Sequence, residues 1–139
     1  MAATSEPLYP FPRTARLLRA AEFERVLRYP DLRLRNGPLR LNVVFTRMHG
    51  VQEPEGALLE KARLGLIVGK KAVPQAHARN RIKRVVRDRF RRARLALGCA
   101  DIVVQVSGPV TRVELHRCLD ALFDEVHEHH EKQMKSGRR

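Results

Sequence analysis

The sequence has only two cysteines, Cys99 and Cys118, which form neither a CxxC pair nor a disulfide framework. We interpret both as reduced thiols that pack in a core. No run approaches the roughly 18 consecutive apolar residues of a transmembrane helix. The N-terminal residues also lack the apolar stretch of a secretory signal. These absences predict a cytoplasmic protein.

Acidic residues are also scarce, with 15 Asp and Glu against 28 Lys and Arg, which leaves a net charge of +13 on 139 residues. Such an excess promotes binding to polyanions, with nucleic acid first and an anionic membrane surface second. The length predicts one domain, and a hydrophobic content of 43% is enough for one modest core. The domain is expected at 13–132, between a flexible arm at 1–12 and a frayed tail at 133–139.

Hydrophobic periodicity predicts three helices and three strands around one mixed sheet. The helices are expected at 20–29, 79–97 and 112–132, and the strands at 39–47, 63–69 and 101–107. A loop at 48–62 separates the first two strands. The unit from 63 to 107 is a strand–helix–strand crossover, so the pattern predicts one mixed sheet backed by helices in a single α/β layer fold.

The positive charge is concentrated in residues 61–94, which hold thirteen basic residues and one acid, Asp88, a net charge of +12. At 100° per residue, the helix at 79–97 places its apolar residues on one side, facing the sheet. The other side carries a basic stripe of Asn80, Lys83, Arg84, Arg87, Arg91 and Arg94. Arg89 interrupts the apolar side and is expected to extend to the sheet edge.

A solvated charged face is the alternative interpretation of this stripe. The stripe, however, has like charges at i,i+4 spacing, such as Lys83 and Arg87, which destabilise an isolated helix by a few tenths of a kcal/mol per pair. With almost no acid nearby, we expect an external anion to balance them. Rows of cations repeating about every 5 Å suit the phosphates of a nucleic-acid strand.

Two runs, RLGLIVGKK at 63–71 and AHARNRIKR at 76–84, closely resemble the protein component of bacterial ribonuclease P. That family has an RNR-x-KR helix after a strand that ends in two lysines. The resemblance covers about residues 11–128 and includes FPR at 11–13, the LL-x-x-x-E-F pattern ending at Phe23, and DIVV at 101–104.

The resemblance implies a single α/β sandwich in the order α-β-β-β-α-β-α. It implies a left-handed crossover, against the right-handed base rate. It also implies that a catalytic RNA carrying Mg²⁺ cleaves the 5′ leader from precursor tRNA, while the protein docks on that RNA and contacts the leader. The protein itself is then expected to have no catalytic residue, metal or cofactor, and to bind no small-molecule substrate.

Site residues follow from the matched positions. The resemblance implies RNA contacts by Arg79, Asn80, Arg81, Lys83 and Arg84, with the paired lysines Lys70 and Lys71 beside them. Arg87, Arg91 and Arg94 continue the surface along the helix. Phe23 and Phe45 resemble the aromatics of a cleft that holds the single-stranded leader, although plain core packing remains an alternative for both. Leu27 replaces a second aromatic of many members, and the 48–62 loop is longer than usual.

Three other functions remain open as alternatives. A structural RNA-binding module, such as a ribosomal protein, shares the charge and needs no leader cleft. A stand-alone nuclease would need carboxylates around metal ions, and neither a Walker nor an HExxH motif occurs. A membrane-surface helix would need Ile82, Val86 and Phe90 to face lipid. The histidines of the last helix, including the His127/His130 pair, are interpreted as a polar face that has metal-ligand spacing.

Overall fold

The computed structural model describes residues 15–46 and 61–136, with side chains up to residue 133. The predicted arm at 1–12 and most of the 48–62 loop lie outside these ranges. The elements follow the order α-β-β-β-α-β-α that the resemblance implies. They are α1 (Ala20–Arg28), β1 (Leu32–Asn36), β2 (Leu39–Phe45), β3 (Arg63–Val68), α2 (Ala76–Leu97), β4 (Ala100–Val106) and α3 (Arg112–Ser136).

The four strands form one mixed sheet in the order β1-β2-β4-β3. The first two pairs are antiparallel, and β3 pairs with β4 in parallel. Helix α2 makes the connection between these two parallel strands, as the strand–helix–strand pattern predicts. The handedness of this crossover stays a prediction from the resemblance.

The sheet divides the core into two layers. Alternate residues of each strand pack against α2 and α3 on one face, and this layer is the larger. The other face carries α1, with Val26 buried against Val44, Val103 and Leu17. Because α1 is short, it covers only part of that face and leaves strand residues beside it accessible.

Strand β1 is the element that the sequence patterns did not predict. Its LRLRN sequence alternates leucine with arginine over only five residues, and its burial alternates in the same way. It pairs with β2 through a two-residue turn, Gly37 and Pro38. Gly37 has a φ of 58°, the left-handed conformation that tight hairpins favour. The Asn36-Gly37 pair was the available signal for this hairpin.

Two helices differ from their predicted bounds. Helix α2 begins at Ala76 rather than 79, because Gln75 keeps an extended backbone and the residues after it continue into the helix. It ends before Gly98 as predicted, and Gly98 has a φ of 71°. Helix α3 continues past 132 to Ser136, into the segment predicted to fray.

Candidate nucleic-acid interface

Helix α2 separates an apolar face from a basic face, as its residue spacing predicts. The buried residues are Ile82, Val86, Phe90 and Leu97. Four residues of the basic stripe have side chains that make no hydrogen bond or ion pair within the described ranges. We call them the open stripe: Asn80, Lys83, Arg84 and Arg87. Apart from half-buried Lys83, these residues are exposed. The membrane alternative needed the apolar face to meet lipid, and that face is packed in the core instead.

The remaining arginines of the predicted surface are tied to the protein itself. Arg79 donates from Nη1 to the carbonyls of Val73 and Pro74, at 2.9 and 2.8 Å. In the same way, Arg94 donates from Nε to a carbonyl, that of Ala62, at 2.9 Å. These bonds brace the segment before α2 and the start of β3, so each guanidinium has fewer donors left for an external anion.

Two arginines lie on the side of α2 that faces α3. Arg89 was expected to extend to the sheet edge, and the structure corrects this. Its Nε lies 3.0 Å from His116 Nδ1 and 3.7 Å from an oxygen of Asp120, both on α3. Arg81 lies on the same side near the start of α2, where it lines a pocket together with Arg112 and Leu115 of α3. Within the RNR motif, Arg79 therefore braces the segment before α2, Asn80 is exposed, and Arg81 lies beside α3.

Arg91 has an ion pair on the helix surface. Its Nη2 lies 2.9 Å from an oxygen of Asp88, the acid in the basic segment, and Arg92 lies 3.3 Å from the other oxygen. Lys70 and Lys71 are exposed in the turn after β3, which the Val73 N–H closes on the Gly69 carbonyl at 3.0 Å. The lysines therefore stand just before α2, where they extend its basic surface.

Phe23 packs on the other face of the sheet, directly over Gly65 of β3. A Cβ atom on Gly65 would lie 2.6 Å from Phe23 Cε1 and 2.8 Å from Cζ, so only glycine allows the ring to approach this closely. The ring is half-buried beside Leu27 and Ile67. Phe23 is therefore held in place by the sheet while part of its surface stays accessible.

Phe45 does not join Phe23, which corrects the predicted shared cleft. It is 2% exposed and packs in the layer between the sheet and α2 and α3, where its ring centroid lies 6.3 Å from that of His130. Successive strand residues point to opposite faces, and position 45 shares its face with Val43 rather than with Val44. The environment of Phe45 therefore agrees with the alternative interpretation, which is core packing.

A polar groove lies on the α1 side of the sheet, and the sequence patterns did not reveal it. Its volume is about 470 Å³. It is lined by Leu27, Arg33, Leu34, Arg35, Arg40, Asn42 and Gln105. Cross-strand pairing brings the arginines together, because Arg35 pairs with Arg40 and Arg33 pairs with Asn42. Leu27, which lines the groove, lies one helical turn from Phe23 on α1 and packs in the same cluster.

A buried ion cluster anchors α1 to this face. Arg63 of β3 is 5% exposed and makes a bidentate contact with Asp101 of β4, at 2.8 Å from Nε and 2.7 Å from Nη2. Its third nitrogen reaches Glu22 of α1 at 2.5 Å, and Arg25 of α1 reaches Asp101 at 2.6 Å. The cluster therefore joins two strands to the helix that carries Phe23.

Glu22 has a pKa below its ordinary value of 4.5. Burial alone would raise this pKa, but the backbone N–H groups of Arg19 and Leu18 and the charge of Arg63 stabilise the carboxylate more. The pKa of Arg63 is raised, because its bonds to Asp101 and the charges of Asp101 and Glu22 outweigh the effect of burial, which lowers it. Glu22 and Arg63 are thus both charged near neutral pH.

We expect the Glu22→Gln variant to be less stable than the wild type near neutral pH, with a difference that shrinks in acid. A carboxyl whose pKa is lowered by folding stabilises the fold above its unfolded pKa, and this stability is lost as the pH falls through the folded pKa. Urea unfolding of both proteins between pH 3 and pH 7 measures the difference. A constant difference across that range would show that the Glu22 charge does not contribute.

The His127/His130 pair of α3 has structural partners. His127 Nδ1 lies 2.6 Å from the Ala96 carbonyl, and His130 packs against Gly98 and Phe45. Within residues 15–46 and 61–136, no group of three or more His, Cys, Asp or Glu side chains is placed to hold a metal ion. None of the helices in the same ranges is both long and apolar enough to cross a bilayer.

The sequence of this chain matches a known protein family and several of its members. The Ribonuclease P family profile matches residues 11–129. This chain belongs to the ribonuclease P protein family. A Ribonuclease P protein component from Halorhodospira halophila is 39% identical over 112 residues, which cover 81% of this chain and 83% of that protein. The component from Edwardsiella ictaluri is 34% identical over 127 residues, covering 91% and 96% of the two chains.

The fold agrees with that family. The structure of the Staphylococcus aureus RNase P protein superposes with a TM-score of 0.64 at 23% sequence identity, covering 79% of this chain and 93% of that one. At this identity the likeness supports the fold alone. The predicted element order and the resemblance to ribonuclease P are confirmed, as is the assignment of the chain as a subunit of that endoribonuclease.

Proposed function

We propose that this chain is the RNA-binding subunit that docks on the catalytic RNA of ribonuclease P and guides the 5′ leader of precursor tRNA. The main support for this proposal is the open stripe on α2, because its cations have no acidic partner in the described part of the chain. Membership of the ribonuclease P family makes that enzyme's RNA the polyanion to expect. The proposed docking surface comprises Lys70, Lys71 and the open stripe.

The leader has a separate path, along the groove beside α1. Its arginines Arg33, Arg35 and Arg40 offer phosphate contacts, and Phe23 offers a ring face on which a base can stack. Stacking and phosphate contacts are largely independent of base identity, which suits leaders of varied sequence. Phe45 has no part in this path because it is buried on the opposite face.

The protein does not perform the chemistry in this proposal. The catalytic RNA holds the Mg²⁺ ions and hydrolyses the phosphodiester, while the protein reduces repulsion between two polyanions and tightens substrate binding. The scarcity of acids along α2 supports this division, since a protein metal centre for phosphodiester hydrolysis uses clustered carboxylates.

Reconstitution tests the proposal directly. Cleavage of a precursor tRNA at low Mg²⁺ is measured with the protein alone, with bacterial ribonuclease P RNA alone, and with both. We expect efficient cleavage only in the mixture. Cleavage by protein that has been freed of RNA would instead support the nuclease alternative, and a mixture no more active than the RNA alone would support the structural-module alternative.

Phe23→Ala is expected to weaken holoenzyme binding to precursor tRNA by about 5- to 100-fold, the loss of one base–aromatic stack. Binding of tRNA without a leader should not change, because Phe23 contacts only the leader. Phe23→Leu serves as the control for packing, since it keeps an apolar side chain over Gly65 but removes the ring. An equal loss for both tRNAs would place the role of Phe23 in folding.

A further inference from the structure

A pocket lies between the start of α2 and the start of α3, and none of its lining residues belongs to the open stripe, the paired lysines or the groove beside α1. Its volume is about 160 Å³, and its apolar wall includes Ala78, Val85 and Val110. We call it the α2–α3 pocket. Ligand sites for drug-sized molecules run to about 300–1,000 Å³, so this pocket accommodates one small flat group at most.

The rim of the α2–α3 pocket is positively charged. It carries Arg81 from α2 and Arg112 from α3, and no acidic residue lines it. Both arginines are exposed, and neither side chain makes a hydrogen bond or ion pair within the described ranges. An apolar interior beneath two guanidinium groups complements a ligand that combines a flat apolar part with an anion.

A nucleotide has this combination of chemistry. Its base has two flat, largely apolar faces, and its phosphate pairs with arginine through charge-assisted hydrogen bonds. RNA-binding proteins commonly recognise splayed, unstacked bases of single-stranded loops and bulges, and arginine guanidinium planes are among the groups on which these bases stack. An apolar peptide side chain would fill the wall but leave both arginines without a counter-charge.

We propose that the α2–α3 pocket receives a single unstacked base of the ribonuclease P RNA, with an adjacent phosphate held between Arg81 and Arg112. This inference rests on the proposed function and adds a site to it. It explains why Arg81 lies off the open stripe: the stripe contacts the backbone of a helix or strand, while Arg81 fixes one extruded nucleotide. The pocket thus sets the register of the docked RNA.

Variants that fill the pocket test the proposal with the full-length protein and bacterial ribonuclease P RNA. Ala78→Leu and Val110→Phe each occupy the pocket from a different element, so one can decide the result if the other does not fold. We expect either to weaken RNA binding by about 5- to 50-fold. Ala96→Leu is the matched control on an exposed position of the same helix, and its affinity should equal that of the wild type.

Chemical probing of base edges supplies a second measurement. The wild-type protein is expected to protect one unpaired nucleotide that stays reactive in the Ala78→Leu and Val110→Phe complexes. Protection in the ribonuclease P RNA supports the proposal, whereas protection only in the precursor tRNA overturns the choice of RNA. Arg112→Gln should weaken the same protection, and Arg117→Gln, an exposed arginine outside the pocket on α3, should not.

Two failures are distinguishable. If the pocket variants fold and still bind and protect the RNA as the wild type does, the proposed base site in the α2–α3 pocket is wrong. The proposed function would not be affected by that result. A wild-type protein that binds no ribonuclease P RNA would overturn both.

Discussion

Asp101→Asn is expected to lower the free energy of unfolding by about 3–5 kcal/mol, the cost of removing one partner from a buried ion pair. Asp101 is fully buried and accepts hydrogen bonds from Arg63 and Arg25. Asparagine preserves the volume but removes the charge, which leaves Arg63 cationic and almost fully buried. Urea unfolding followed by circular dichroism measures the loss.

Asp88→Asn is the matched control for this prediction. Asp88 also pairs with two arginines, Arg91 and Arg92, but its side chain is 38% exposed. Surface pairs contribute about 0–1 kcal/mol, so the control should stay close to the wild type. If Asp101→Asn were no more destabilising than Asp88→Asn, burial of the cluster would not matter for stability.

The cluster also connects stability to the proposed leader path. Glu22 and Arg25 belong to α1, and Arg63 lies two residues before Gly65, over which Phe23 packs. Loss of the Asp101 charge should therefore loosen α1 before the rest of the fold. Hydrogen exchange in Asp101→Asn is expected to rise in α1 more than in α2, whose contacts lie on the opposite face of the sheet.

The sequence predicted the basic stripe well because helical faces depend only on local spacing. Once residues 79–97 are taken as a helix, the positions of Ile82, Val86 and Phe90 fix the buried side. The same reasoning could not assign Phe45, because a strand has two faces and both were compatible with its pattern. The partner elements decide between them, and these become known only with the sheet order.

Long-range pairing accounts for most of what the sequence did not reveal. Arg63 and Asp101 lie 38 positions apart, and only the parallel register of β3 and β4 places them side by side. The bond from Arg94 to the Ala62 carbonyl likewise spans 32 positions and depends on where the chain enters β3. In each case the residue type indicated a charge, but the fold determined whether that charge was internal or open to RNA.

Replacing both Arg84 and Arg87 with glutamine is expected to weaken binding to ribonuclease P RNA by about 100-fold at physiological salt. If the wild type contacts about four to eight phosphates, its log affinity should fall with log salt at a slope of roughly −3 to −7. Each lost phosphate contact reduces that slope by about one, so the double variant should be shallower by about two. Filter binding across a salt series measures both quantities.

The control for this prediction removes the same charge elsewhere. Arg117 and Lys132 are exposed on α3, and their side chains make no hydrogen bond or ion pair within the described ranges. The Arg117→Gln/Lys132→Gln variant therefore changes the net charge equally. Binding through general attraction to a cationic protein would make the two double variants equivalent. Binding through the open stripe requires that only the Arg84/Arg87 variant lose affinity and slope, because only those cations contact phosphates. A wild-type slope shallower than about −2 would contradict a surface of several phosphate contacts.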